Sequence, residues 1–174
     1  MGFGHRLTVT LLVCALSSPV FAGEIIGNTY ISEKDGVIEI TAEGWDIKDA
    51  EGRTPDPYLI VTLNIKGTGA MTALQFWRLA NPGGAVTPEA MLQELRKSYE
   101  KQGLEVGGME PRRLSGKRVL MMPTTTSKGG GRASGFLYML QGEKSLYWAQ
   151  FWANVTIFDD ARKKFDEVME KVKY

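Results

Sequence analysis

The sequence predicts an α+β fold, a three-layer α/β/α sandwich with a mainly antiparallel sheet and a helix on each face. Three observations predict it. Ala133 to Phe158 reads as two strands joined at Gln141-Gly142-Glu143-Lys144, and both strands are apolar on both faces. Phe136, Tyr138 and Leu140 alternate with Leu137 and Met139; Leu146, Trp148 and Trp152 alternate with Tyr147, Ala149, Phe151, Ala153 and Val155. Side chains of a strand point alternately to its two sides, so a doubly apolar hairpin belongs mid-sheet, covered above and below. The second and third observations are two amphipathic helical stretches, one before this hairpin and one after it, that can supply the covers.

The chain opens on Arg6, an apolar run from Leu7 to Leu16 and Pro19-Val20-Phe21-Ala22. This is the three-part pattern of an export signal with cleavage after Ala22, so residues 1–22 are expected to be removed and 23–174 to form a single domain, periplasmic or secreted. The apolar run is too short to span a bilayer, and no later run is longer. Cys14 follows Val13 inside the run, not a small residue at its end, so a lipoprotein anchor is not expected.

Tyr30–Ser32 and Gly36–Ala42 read as strands around the turn at Glu33-Lys34-Asp35-Gly36. Glu43-Gly44-Trp45 is expected to break the second strand, and residues 46–57, polar with Gly52, Pro55 and Pro57, to be an exposed loop. Tyr58–Ile65 is a strong strand with Leu59, Val61, Leu63 and Ile65 on one face; Met71–Leu79 is its partner across Lys66-Gly67-Thr68-Gly69. Thr87 to Gln102 is a helix: Thr87 caps, Pro88 suits the first helical position, and Glu89 meets the positive end of the dipole. Met91, Leu92, Leu95 and Tyr99 form its apolar stripe, and Gly103 stops it. Leu104–Met109 reads as a strand, Arg112–Leu114 and Lys117–Met122 as a hairpin about Ser115-Gly116, and residues 123–132 as a loop. After the two-faced hairpin, Asp159-Asp160 are expected to cap a last helix with the stripe Ala161, Phe165, Val168, Met169 and Val172.

The element order, the Gly-Trp after an early strand (Ala42-Glu43-Gly44-Trp45), and an aromatic strand running straight into a terminal helix resemble the PsbP-like fold, which includes the DcrB-like envelope proteins. That resemblance implies a non-enzymatic binding, adaptor or chaperone role, with no catalytic residue to carry over.

Removing residues 1–22 takes away His5 and Cys14, the single histidine and cysteine of the chain. Thiol nucleophiles, imidazole bases, disulfides and Cys/His zinc sites are thereby excluded, and no cofactor is implied. Losing Arg6 also leaves 20 acidic and 20 basic residues, from 21 Lys+Arg less one against 20 Asp+Glu, which argues against nucleic-acid binding. The balance is uneven along the chain. Arg112, Arg113, Lys117, Arg118, Lys128 and Arg132 follow one another with no acid between Glu110 and Glu143. They are the expected partner-binding residues, suited to a protein with an acidic surface in the envelope. An extrinsic subunit, an adaptor and an immunity-type inhibitor all fit this description. The alternative is a small-ligand carrier with a pocket between the sheet and the C-terminal helix, lined by Trp148 and Trp152.

Three other motifs fall to simpler readings. Ser98-x-x-Lys101 lacks the companion motifs of a serine-lysine enzyme and ends an amphipathic helix. Residues 127–132, Ser-Lys-Gly-Gly-Gly-Arg, precede a strand, whereas a phosphate loop needs a helix there. Asp46, Asp49 and Glu51 lack the spacing of an EF-hand calcium loop, so no metal site is expected.

Overall fold

The computed structural model describes residues 23–127 and 131–174. The export signal expected at 1–22, and Lys128, lie outside the described residues. Eleven strands are present among the described residues: β1 (Glu24–Ile26), β2 (Thr29–Ser32), β3 (Ile38–Thr41), β4 (Trp45–Asp49), β5 (Leu59–Ile65), β6 (Thr72–Ala80), β7 (Glu105–Val106), β8 (Glu110–Leu114), β9 (Lys117–Thr126), β10 (Ala133–Gln141) and β11 (Ser145–Asn154). The helices are α1 (Pro88–Lys101) and α2 (Phe158–Lys171). Strands β4-β5-β6-β11-β10-β9-β7 form one sheet in that order, with β8 also pairing β9; β1-β2-β3 form a second. Every pairing is antiparallel.

The doubly apolar hairpin is central, as its pattern requires. Phe136, Tyr138, Leu140, Tyr147, Ala149, Phe151 and Ala153 join one core cluster with Ala161, Phe165, Val168 and Met169 of α2. Leu137, Met139, Leu146 and Trp148 join the other, with Leu92 buried from α1 and Met91, Leu95 and Tyr99 packed against it. The small sheet shares the α2 side, contributing Tyr30, Ile38 and Ile40. Cover on that side is therefore part helix and part sheet, an arrangement the strand-by-strand pattern of residues 30–42 does not reveal.

Several expected elements differ. Trp45–Asp49 is a strand, not the start of a loop: Trp45 is buried and pairs with Ile65, which anchors a register running to Asp49–Val61. A shift of register between Leu59 and Val61 puts Leu59 opposite Trp77, on the face away from Val61, Leu63 and Ile65. Residues 123–126 continue β9, because Pro123 sits opposite Phe136 and the ladder runs on to Thr126–Ala133. The strand expected at 104–109 shortens to β7. Thr87 caps α1 as expected, its Oγ1 accepting from the Ala90 N–H at 3.2 Å. Asp159 and Asp160 do not cap α2. Ile157 holds the cap position without a side-chain bond, and both aspartates lie in the first turn, where they meet the positive end of the dipole. Val155 is exposed beyond the end of β11.

Candidate functional site

The basic residues do not converge. At about 3.3 Å per residue, β9 separates its two ends by roughly 30 Å. Arg112, Arg113, Lys117 and Arg118 lie at its start, on the β8–β9 hairpin; Arg132 lies at the far end, where its carbonyl accepts from Val155 N–H. The hairpin's own alternation divides the first group again. Leu114 and Val119 are buried on the α2 side, so Arg112 and Lys117, directly opposite them in register, share that side. Both are engaged. Arg112 donates to Glu110 at 2.8 Å, and Lys117 Nζ donates to the Tyr174 carbonyl at 2.6 Å while lying 4.0 Å over the Tyr174 ring.

Arg113 and Arg118 are different. They face each other directly across β8 and β9, both are exposed, and neither has an ion-pair partner among the described residues. They flank the α1 side, where Arg118 lines a groove of about 180 Å³ with Pro88, Glu89, Val119, Leu120, Met139 and Gln141.

The two tryptophans take different places. Trp148 is buried on the α1 side and stacked on Trp77, ring centroids 5.8 Å apart and planes 2° from parallel. It belongs to the cluster under α1, so the pocket expected between the sheet and the terminal helix does not contain it. Trp152, four residues on, has the same facing but is half-buried.

A polar centre unforeseen in the sequence sits on the α2 side. Arg78 of β6 and Glu51, just after β4, form an ion pair with both side chains 5% exposed. Arg78 also donates to Ser32 Oγ at 2.8 Å; Ser32 Oγ and Tyr30 OH donate to Glu51 Oε2 at 2.9 and 3.1 Å. Beside it, Arg53 Nε lies 3.0 Å from Asp49 Oδ2 without the angle of a hydrogen bond. The residue pattern held one signal: Thr72, Leu74 and Phe76 mark the inward side of β6, and Arg78 continues that row. A charge there requires a buried partner. No cluster among the described residues has the acids needed to hold a metal ion.

Burial also marks the tyrosines. It pushes Tyr99 up to about 12, and raises Tyr30 further with help from the Glu51 and Asp49 carboxylates; burial likewise raises Tyr138, Tyr147 and Tyr174. A raised phenol holds its proton more tightly when folded. Its contribution is complete below the unfolded tyrosine value, about 10, and is lost as pH rises through the folded one. Stability is therefore expected to fall steadily above about pH 10. Urea midpoints between pH 8 and 11 check this, and a flat profile would contradict it.

The fold is PsbP-like. The solution structure of cyanobacterial PsbP (CyanoP) from Synechocystis matches it with a TM-score of 0.62 at 13% identity, over 92% of this chain and 98% of that one. The crystal structure of LpqN, a protein involved in cell envelope biogenesis of Mycobacterium tuberculosis, matches with 0.54 at 13% identity, over 78% of this chain and 82% of that one. A Bacteroides thetaiotaomicron structure matches with 0.55 at 8% identity, over 78% of this chain and 44% of the other. No family model and no curated protein matches the chain.

Proposed function

We propose that this chain, with its PsbP-like fold, is an exported, envelope-associated domain that works by binding another protein and performs no chemistry of its own. In this reading it is a three-layer sandwich with α1 and α2 on opposite faces, which the two separate core clusters support. LpqN, a protein of similar fold involved in cell envelope biogenesis, supports the compartment. Removal of residues 1–22 before folding would leave neither imidazole nor thiol. No described helix is long and apolar enough to cross a membrane.

The observation that carries the reading is the Arg113–Arg118 pair. Like charges directly opposite on neighbouring strands are destabilising. Here neither has an ion-pair partner among the described residues, with Glu89 lining the groove beside Arg118 but not paired to it, whereas Arg112 on the same strand has Glu110. A bound acidic partner would supply the missing charge, and the groove beside Arg118 gives it an apolar edge to rest on. Arg112 and Lys117 support the hairpin from the other side, and Arg132 belongs to the far end of the sheet.

The test is recovery of the partner from envelope extract on immobilised protein at low and high salt. Reversing Arg113 and Arg118 to Glu is expected to weaken recovery by about tenfold or more, mainly through slower association, and to abolish its salt dependence. Arg132→Glu is expected to leave both unchanged. Full recovery with the two arginines reversed rejects this surface.

A further inference from the structure

The α1 face of the large sheet is only partly covered. Helix α1 packs against β10 and β7, and Trp77 and Leu79 of β6 join its cluster, while among the described residues no helix packs extensively on the same face of β4, β5 and the first half of β6. Register fixes what that open face presents. One row across it reads Lys48, Thr62, Gln75 and Gln150, each opposite the next. The adjacent row pairs Asp46 with Asn64, and Ala73 with Trp152 and Gly135. The Thr62–Gln75 and Leu63–Leu74 pairs carry the register on to set Asn64 beside Ala73. Lys48 and Asp46, of opposite sign, sit on the outermost strand; everything inward of them in these two rows is uncharged.

Three details make this more than a polar surface. Trp152 is half-buried and flanked by the two smallest residues of its row. A Cβ on Gly135 would clash with the Phe151 carbonyl oxygen and stand 3.1 Å from the indole Cδ2, so the absent side chain leaves room for the ring beside Gly135, and the small Ala73 lies between Trp152 and Asn64. Gln150 is 9% exposed, and Tyr99 OH donates to its Oε1 at 2.8 Å. That bond ties the carbonyl end to α1 and turns the Nε2 amide away from the helix, where it has no partner among the described residues. Thr124, 2% exposed on the same face and opposite Gly135, likewise has a buried hydroxyl oxygen without a partner.

We propose that this face is a binding site for a neutral oligosaccharide. The indole offers a flat apolar surface to the C–H side of a sugar ring lying on Ala73. Gln75, Gln150, Asn64 and Thr62 offer amide and hydroxyl groups at strand spacing, each able to donate and accept as a ring of hydroxyls requires. Acidic glycans and lipid phosphates are disfavoured, because no cation lies on the inner strands. The site stands apart from Arg113 and Arg118 at the hairpin end.

The experiment titrates the chain with cellotetraose, maltotetraose and chitotetraose, following tryptophan fluorescence and side-chain resonances. At least one tetrasaccharide is expected to shift the Trp152 indole N–H and the Gln75 and Gln150 carboxamides saturably at millimolar concentration. Trp152→Ala is expected to weaken that binding by about tenfold or more, and Gln75→Ala by about fivefold. Gln75→Ala carries the test alone if near-ultraviolet circular dichroism shows that Trp152→Ala disturbs the fold. No shift with any of the three at about 10 mM, weaker than any useful affinity, overturns the proposal. So does a shift that survives both substitutions. Partner recovery through Arg113 and Arg118 is expected to be the same in Gln75→Ala as in the parent chain, so the two sites fail or stand separately.

Discussion

Glu51→Gln is expected to lower the free energy of unfolding by about 3–5 kcal/mol. The substitution keeps the shape of the side chain and removes its charge, which strands the Arg78 guanidinium in a site where its side chain is 5% exposed. Desolvating an unpaired cation costs more than the lost bond itself. Ser32 and Tyr30, which donate to the same carboxylate, are left with a weaker acceptor. Arg78→Met added to Glu51→Gln removes the stranded charge, so the double variant is expected to regain most of the loss. Urea unfolding of the four proteins of this cycle gives the coupling directly, and the midpoint is expected to move with little change in slope. A loss below about 1 kcal/mol for Glu51→Gln would mean that water reaches the pair.

This centre also shows where reading the residues stops. Glu51 stands in Asp49-Ala50-Glu51-Gly52-Arg53, a run whose composition is that of a solvated loop. Its burial comes from a second sheet folding across the first, and Ser32 and Tyr30 reach it from β2, some twenty residues earlier. Polarity along the chain says nothing of that distant closure. The central hairpin was legible for the opposite reason: its two faces are decided by period-two alternation within each strand, a local property. The same rule failed at Leu59, because a single register shift reverses the facing of every residue on one side of it. It failed again at Pro123, where a proline and three threonines read as loop although a proline is tolerated where its missing donor is not needed.

The candidate site was legible in part. The basic run is visible in the residues, but only the register of β8 on β9 separates Arg113 and Arg118 from Arg112 and Lys117, and only the length of β9 places Arg132 far from them. The side of the sheet occupied by Trp148 follows from which helix covers it. Alternation gives two faces without saying which helix goes to which.

Phe165→Ala is the second substitution with a large expected effect, a loss of about 3–5 kcal/mol. Phe165 is fully buried on α2. Its ring stacks on Phe151 at 4.7 Å and 17°, and it also contacts Tyr138 at 5.3 Å and Phe136 at 6.4 Å. Truncation opens a cavity that three aromatic rings, held by a backbone ladder on either side, cannot collapse to fill. Leu92→Ala on α1 is the matched change on the other face, expected to cost about 2–5 kcal/mol. The two side chains belong to separate clusters divided by the sheet itself, so their effects are expected to add within about 0.5 kcal/mol. Equilibrium unfolding of the single and double variants tests this, and strong non-additivity would mean that the two faces do not pack independently. The comparison also bears on binding. The last turn of α2 holds the β8–β9 hairpin, since Glu170 accepts from the Ser115 N–H at 2.9 Å. Loosening α2 through Phe165 therefore reaches the strands that carry Arg113 and Arg118, and Leu92 holds α1, whose Pro88 and Glu89 line the groove beside Arg118. Both substitutions are therefore expected to weaken partner binding, Phe165→Ala through the hairpin and Leu92→Ala through the groove. Unchanged binding by the folded fraction of both variants would place the seat of recognition away from that hairpin.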